Sequence, residues 1–184
     1  PDDWTCPDCG VGKQDFEMIA VSAPESAQSK VKTTDTLELI DQDQLPVIVV
    51  GTGLAGYNLA REYRKLNTTT PLIMITSEDG RMYYKPAIST GYHTNKSPDQ
   101  LATATAEEMA LELRAEIQTF SSMKSIDERN QIVETTSGKL KYAKLVLATG
   151  ARCIELPIAG NGLESVYSIN NLMDYSTFRQ AMEG

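Results

Sequence analysis

Residues 45–66 read LPVIVVGTGLAGYNLAREYRKL, and two periodicities meet inside that stretch. Val47 to Val50 is an unbroken β-branched run ending at a glycine, the pattern of a strand buried on both faces. From Leu54 the spacing becomes helical, with Leu54, Leu59, Tyr63 and Leu66 as the expected apolar positions and charges between them. TPLIMIT, residues 70–76, is a second apolar strand and closes a β-α-β unit of ordinary length. These three pieces predict an α/β domain with a parallel sheet.

Farther along, SEDGRMYYKPAISTGYHTNKSPDQ (residues 77–100) is rich in Gly, Pro and Ser. The expectation is a long loop, and long loops in compact domains are commonly functional. Thr105 and Glu108 form a T-x-x-E capping box that opens a helix through EEMALELRA. EIQTF reads as a third strand. SMKSID, QIVETT and KLKYA alternate around polar turns, one of them Ser137-Gly138, and predict an antiparallel meander. KLVLATG, residues 144–150, then returns as another buried parallel strand. NNLMDYSTFRQAMEG closes the chain in a helical pattern.

Upstream, residues 20–36 are small, polar and aperiodic, so 20–44 is read as a linker between a short segment, 1–19, and a domain over 45–184. The chain has 184 residues, enough for one domain and an appendage. With 41% hydrophobic and 23% charged residues it is composed as a folded globular protein. A net charge of -8 argues against nucleic acid and anionic membrane as partners. The longest apolar stretch is interrupted by Gly, Thr and Asn, so no membrane insertion is expected. Residues 1–16 are acidic and polar rather than signal-like, and the odd cysteine count (Cys6, Cys9, Cys153) fits a reducing, cytoplasmic setting. The absence of an initiator Met and the helical pattern at the end predict an excerpt of a longer polypeptide.

Gly51-Thr52-Gly53-Leu54-Ala55-Gly56 is a GxGxxG placed between a strand and a helix, the context that makes this motif a dinucleotide fingerprint. Gly51 permits the sharp turn, Gly53 admits a diphosphate against backbone, and Gly56 lets helix and strand pack closely. The helix start offers free N–H groups to that anion. An acid for the adenosine ribose belongs at the end of the second strand. That position is Thr76, followed by Ser77, Glu78 and Asp79. Either carboxylate, or Thr76 and Ser77 through hydroxyl and backbone, fits the role.

The order of GxGxxG, aromatic-basic-Pro in YYKPAIS, meander and ATG strand resembles the FAD domain of the two-dinucleotide flavoprotein reductases. By that resemblance Lys85 and Pro86 sit beside the flavin, and Ala148, Thr149 and Gly150 bring backbone next to it. A cation there stabilises the negative charge gained on reduction. The same resemblance gives the Met123 main chain an adenine contact, while its side chain reads equally as core. No residue is singled out as catalytic.

DDWTCPDCGVGKQDFE at the start resembles the second half of a rubredoxin knuckle, through Trp4, Cys6, Pro7, Cys9, Gly10, Lys13 and Phe16. Half a zinc ribbon or a redox CxxC are the other readings. Cys6 and Cys9 supply two ligands of a four-cysteine iron site, so this stretch is not expected to hold iron stably. Residues 46–184 are similar to the rubredoxin reductase family, and each resemblance names the other's redox partner. Together they imply an FAD-dependent NADH:rubredoxin oxidoreductase fused to rubredoxin. Electrons would pass from NADH through FAD to iron and on to a terminal oxygenase or oxidase, alkane monooxygenase being one example. The NADH site would lie outside this stretch, leaving it inactive alone. The rivals are a flavoprotein reductase serving ferredoxin or nitric-oxide chemistry, and a non-enzymatic zinc-knuckle adaptor that binds a nucleotide. The helix after GxGxxG has no CxxC, which argues against thiol-disulphide chemistry. His93 reads as a solvent-exposed loop residue and Cys153 as a free structural thiol.

Overall fold

The computed structural model describes residues 45–154 and 156–183. The CxxC segment with Cys6 and Cys9, and the linker over 20–44, lie outside the described residues.

The fold is α/β, in three layers. Strands β1 (Val47–Val50), β2 (Leu72–Ile75), β5 (Glu116–Gln118) and β9 (Lys144–Leu147) form a parallel sheet in the order β5-β2-β1-β9. Its register pairs Val50 with Ile75 on one side and with Leu147 on the other. Because side chains alternate along a strand, β1 serves two cores. Val47 and Val49 face helices α1 (Leu54–Leu66) and α4 (Ala106–Leu113), packing with Tyr57, Ala60, Met109 and Leu113. Ile48 and Val50 face the meander β6 (Met123–Asp127), β7 (Ile132–Thr135) and β8 (Gly138–Lys141), meeting Val133 and Tyr142. A strand covered on both faces has no polar positions to spare, hence the unbroken apolar run.

Several expectations change in detail. In α1 the buried residues are Gly56, Tyr57 and Ala60, whereas Leu54, Leu59 and Leu66 are exposed, Leu66 by 89%. Of the four expected apolar positions only Tyr63 packs against the core. The contact face of the helix is built from Gly56, Ala60 and the rings of Tyr57 and Tyr63. Residues 77–100 are not a featureless loop. They contain β3 (Met82–Tyr83), a 3-10 turn over Lys85–Ala87, α2 (Ile88–Gly91) and most of α3 (Pro98–Leu101). β3 pairs antiparallel with β4 (Ala102–Ala104). A capping box of Ser97 and Gln100 starts α3. β9 is an edge strand among the described residues, and Leu147 is 55% exposed rather than buried. The expected Thr105–Glu108 box is present, with bonds of 2.8 and 3.2 Å.

Helix α5 (Leu172–Glu183) begins with Leu172 and Tyr175 in a third cluster beside Ile88 and Leu101. The Tyr175 hydroxyl donates to the Lys96 carbonyl at 2.7 Å.

Arg64 fastens α1 to α4. Its guanidinium donates to the carbonyls of Leu113 (2.6 Å), Arg114 (2.9 Å), Thr70 (2.8 Å) and Asn67 (3.2 Å). The first two belong to the end of α4, where carbonyls lack helical partners. Arg64→Ala should cost about 2–3 kcal/mol of unfolding free energy, since hydrogen bonds from a charged donor carry about that. Arg64→Lys should recover less than half, because an ammonium cannot reproduce the planar fork. Urea midpoints of the three proteins check both.

Candidate dinucleotide site

Three strand ends converge at the glycine turn. The Gly51 N–H donates to the Ile75 carbonyl, and the Ala148 N–H to the Val50 carbonyl, both at 2.8 Å. The connection from β1 leads to β2 on one side, while β9 returns on the other, so this is the point where the strand order reverses. In open α/β sheets the crevice at such a point is where ligands bind.

The glycines divide into two kinds. Gly51 has φ of +110°, and a Cβ there would lie 2.1 Å from the Ala148 carbonyl oxygen. A Cβ on Gly56 would lie 2.0 Å from the Gly51 oxygen. Both are glycine because backbone already fills the space. Gly53 is different: a Cβ there meets nothing within 4 Å. Its carbonyl receives the Tyr57 N–H at 3.0 Å, no side chain caps α1, and the first turn carries no acid. Thr52 is buried between them, and Leu54 and Ala55 are exposed. The result is an open, uncapped helix start with room for a diphosphate, so the residues present fit a dinucleotide.

At the end of β2 the four ribose candidates differ in how far they are committed. Thr76 is buried; its N–H donates to the Gln118 carbonyl, its carbonyl accepts from Ser121, and its hydroxyl accepts from the Glu78 N–H at 3.2 Å. Ser77 is exposed. Asp79 is paired with Arg81 at 2.8 Å, and Arg81 also reaches Asp99 at 2.7 Å. Glu78 is half-buried and its carboxylate accepts from the Tyr83 hydroxyl at 3.4 Å. Burial pushes the Glu78 carboxyl above its ordinary range, with Asp79 and Asp174 adding to the rise and Lys85 opposing it. Burial likewise holds the Tyr83 phenol well above its usual value.

Tyr57, which sequence reasoning passed over, ties the glycine turn to the end of β2. Its ring is fully buried and its hydroxyl donates to the Gly80 carbonyl. Burial pushes its phenol up to about 12.

Lys85 is exposed, and its Nζ donates to Asn170 Oδ1 at 2.7 Å. Asn170 Nδ2 donates to the Ala151 carbonyl at 2.9 Å. Asn170 thus links Lys85 to the turn after β9, where Thr149 is exposed and Gly150, with φ of +69°, has open space at its Cβ. Pro86 follows in the exposed 3-10 turn. A hollow of about 370 Å³ beside this bridge is lined by Lys85, Asn170, Tyr92 and Phe178 among others. It shares no residue with the glycine turn. Met123 sits at a register irregularity in β6, its side chain against the meander-side core. His93 and Cys153 are exposed. Among the described residues no cluster of three or more His, Cys, Asp or Glu is arranged to hold a metal, and no helix is long and apolar enough to cross a membrane.

Gly53→Val should leave the unliganded fold within about 1 kcal/mol, the scale of an unfavourable helix cap. It should weaken dinucleotide binding by about 2 kcal/mol, roughly thirtyfold, because the side chain occupies the opening. Gly56→Val, by contrast, should destabilise the fold by at least about 3 kcal/mol. Thermal melts with flavin titrations separate the two.

Glu78 predicts a pH effect. Its carboxyl is raised in the folded chain, so the folded state holds that proton more tightly than the unfolded state does. The associated stability is complete below the usual carboxyl value of 4.5 and is lost as pH rises through the raised value. The stability gain of Glu78→Gln over the parent should therefore widen from acid towards neutral pH in paired urea titrations.

The family profile described as pyridine nucleotide-disulphide oxidoreductase matches residues 45–184. The rubredoxin-NAD(+) reductase of Alcanivorax borkumensis is 44% identical over 139 residues, 76% of this chain and 36% of that protein. The protein of the same name from Acinetobacter baylyi is 39% identical over 139 residues, 73% of this chain and 35% of its own length. Among solved structures, NADH:rubredoxin oxidoreductase from Clostridium acetobutylicum superposes with a TM-score of 0.60 at 26% identity, covering 76% of this chain and 36% of that one. The chain thus spans about a third of the length of the relatives it matches. With the profile covering the whole α/β domain, glycine turn and ATG strand included, the chain belongs to the pyridine nucleotide-disulphide oxidoreductase family.

Proposed function

We propose that this chain carries the FAD-binding part of an NAD(P)H:rubredoxin oxidoreductase, with residues 1–19 as a partial rubredoxin knuckle. The observation that carries the reading is the open Gly53 position over an uncapped helix start, with Lys85 and the Gly150 turn bridged beside it by Asn170. The names of the two bacterial relatives support the substrate assignment.

In this reading the first-turn N–H groups of α1 and the Gly53 backbone hold the diphosphate. Of the two carboxylates among the ribose candidates Glu78 is the less committed, Asp79 being paired with Arg81, and we assign it the ribose hydroxyls, with Thr76 shaping the turn that presents it. Lys85 and Pro86 line the flavin with Thr149 and Gly150, and Met123 offers backbone to the adenine. A flavin held there would supply the chemistry that couples hydride transfer from a nicotinamide cofactor to one-electron transfer to an iron centre. Cys6 and Cys9 would contribute two thiolates to that centre, the remaining ligands and the NADH site belonging to other parts of the protein. A terminal oxygenase or oxidase is the acceptor beyond the iron, and the setting is cytoplasmic. A covalent tether over 20–44 raises the effective concentration of carrier and reductase for each other.

The test is an absorption spectrum of the full-length protein with a metal analysis. Flavin bands that bleach on adding NADH, with iron stoichiometric to flavin, are expected. Zinc in place of iron would favour the nucleotide-binding adaptor. A colourless protein that takes up no added flavin would overturn the reading.

A further inference from the structure

Tyr57 is a buried phenol for which the proposed chemistry has no use. Its ring lies in the helix-side core with Val47, Val49, Met74 and Met109, a place that phenylalanine would fill as well. A hydroxyl carried into such a core needs a partner. Here the partner is the Gly80 carbonyl, 23 positions along the chain. Burial pushes the phenol up to about 12, so it stays protonated at neutral pH and the bond keeps one direction. Both ends of the residue are committed, because its main-chain N–H donates to the Gly53 carbonyl at 3.0 Å and closes the first turn of α1. One residue therefore ties the open glycine to the turn that follows β2.

That turn, residues 76–81, carries Glu78. On the β5 side it is fastened by main chain. The Thr76 N–H donates to the Gln118 carbonyl at 3.0 Å, the Ser121 N–H to the Thr76 carbonyl at 2.7 Å, and the Phe120 N–H to the Glu78 carbonyl at 3.0 Å. Gly80 turns the chain with φ of +76°, and a Cβ there would lie 3.0 Å from side-chain carbons of Ala106 and Thr119. On the α1 side the fastening is the Tyr57 hydroxyl. Gly80 is buried, so without that hydroxyl its carbonyl would lose its donor in a place water does not reach. The turn would relax towards solvent and take Glu78, two residues away, with it.

We propose that Tyr57 is the positioning residue for Glu78: it fixes the carboxyl at a set offset from the start of α1, so that the site selects a nucleotide whose diphosphate and ribose hydroxyls fit both at once. This rests on the reading that Glu78 takes the ribose hydroxyls. A site built around a hydroxyl rejects the analogue that lacks it. The preference for ADP over 2′-deoxy-ADP therefore reports whether Glu78 is in place.

The experiment uses full-length protein freed of flavin, with the variants Tyr57→Phe, Glu78→Ala, the two combined, and Ala60→Gly. ADP and 2′-deoxy-ADP compete against FAD uptake, followed by flavin fluorescence, so that only the flavin site is read. Melting temperatures are taken alongside. The parent should prefer ADP about tenfold, the scale of one hydrogen bond to a charged group. Glu78→Ala should abolish the preference, and Tyr57→Phe should reduce it to about twofold or less. Because Tyr57 acts through Glu78, adding Tyr57→Phe to Glu78→Ala should weaken ADP no further. Ala60→Gly loosens the same core but keeps the hydroxyl, so it should lower the melting temperature and leave the preference intact. If Glu78→Ala loses the preference and Tyr57→Phe keeps it, the inference is overturned while the ribose assignment stands. A further loss of ADP affinity in the combined variant, or an equal loss of preference in Ala60→Gly, would make Tyr57 merely structural and also overturn the inference. A parent with no preference, or a Glu78→Ala variant that retains it, would bring down the ribose assignment and the inference together.

Discussion

Backbone meets backbone where β1 ends. The Gly51 oxygen occupies the place a Gly56 side chain would need, and the Ala148 carbonyl occupies the place a Gly51 side chain would need. No packing of larger residues substitutes for this contact, because the crowding atoms are main chain and cannot rotate away. From it follow the closeness of α1 to the sheet, the burial of Tyr57 and Ala60 in place of the leucines, and the adjacency of the glycine turn to the ATG strand. Gly53 alone among the three faces space, so the same motif divides its glycines between fold and ligand.

Around that contact the polar groups form two relays. On one side Tyr57, in the first turn of α1, reaches the Gly80 carbonyl beyond β2 through a buried hydroxyl. On the other side Asn170 joins Lys85 to Ala151. Each relay bridges segments far apart in the chain through one side chain and backbone carbonyls, which hold their direction because they belong to ordered turns. Precision at the site thus comes from groups that would not touch the ligand themselves.

Much of the architecture is legible in the sequence because burial on two faces leaves a continuous apolar run and a meander leaves alternation. VIVV, LIMI and the ATG strand stand out for that reason, as does the T-x-x-E box. The face of α1 misleads because leucine is normally a core residue, whereas here the sheet-facing positions are Gly56, Ala60 and the rings of Tyr57 and Tyr63. Residues 77–100 resemble a loop because their elements are two to four residues long, too short for any periodicity to register. β9 looks buried from composition alone, but edge or centre is a property of the sheet and not of the strand. Among candidate site residues, Gly51, Gly53, Gly56, Lys85 and Gly150 are picked out by motifs; the glycines lie at two neighbouring strand ends, and Asn170 links Lys85 to the turn after β9. Tyr57 and Asn170 carry no signal, since their importance lies in partners 23 and 85 positions away. Glu78 and Asp79 are adjacent and chemically alike, and only the presence of Arg81 tells them apart.

The dependence of Gly51 on Ala148 also has a temporal side. The atoms that hold the turn in shape come from opposite ends of the α/β segment, with α4, β5 and the whole meander synthesised between them. Loop closure over such a separation comes late in folding and slowly. The chain therefore completes its nucleotide cradle only after β9 has docked, so an immature polypeptide would be blind to a dinucleotide until β9 has left the ribosome.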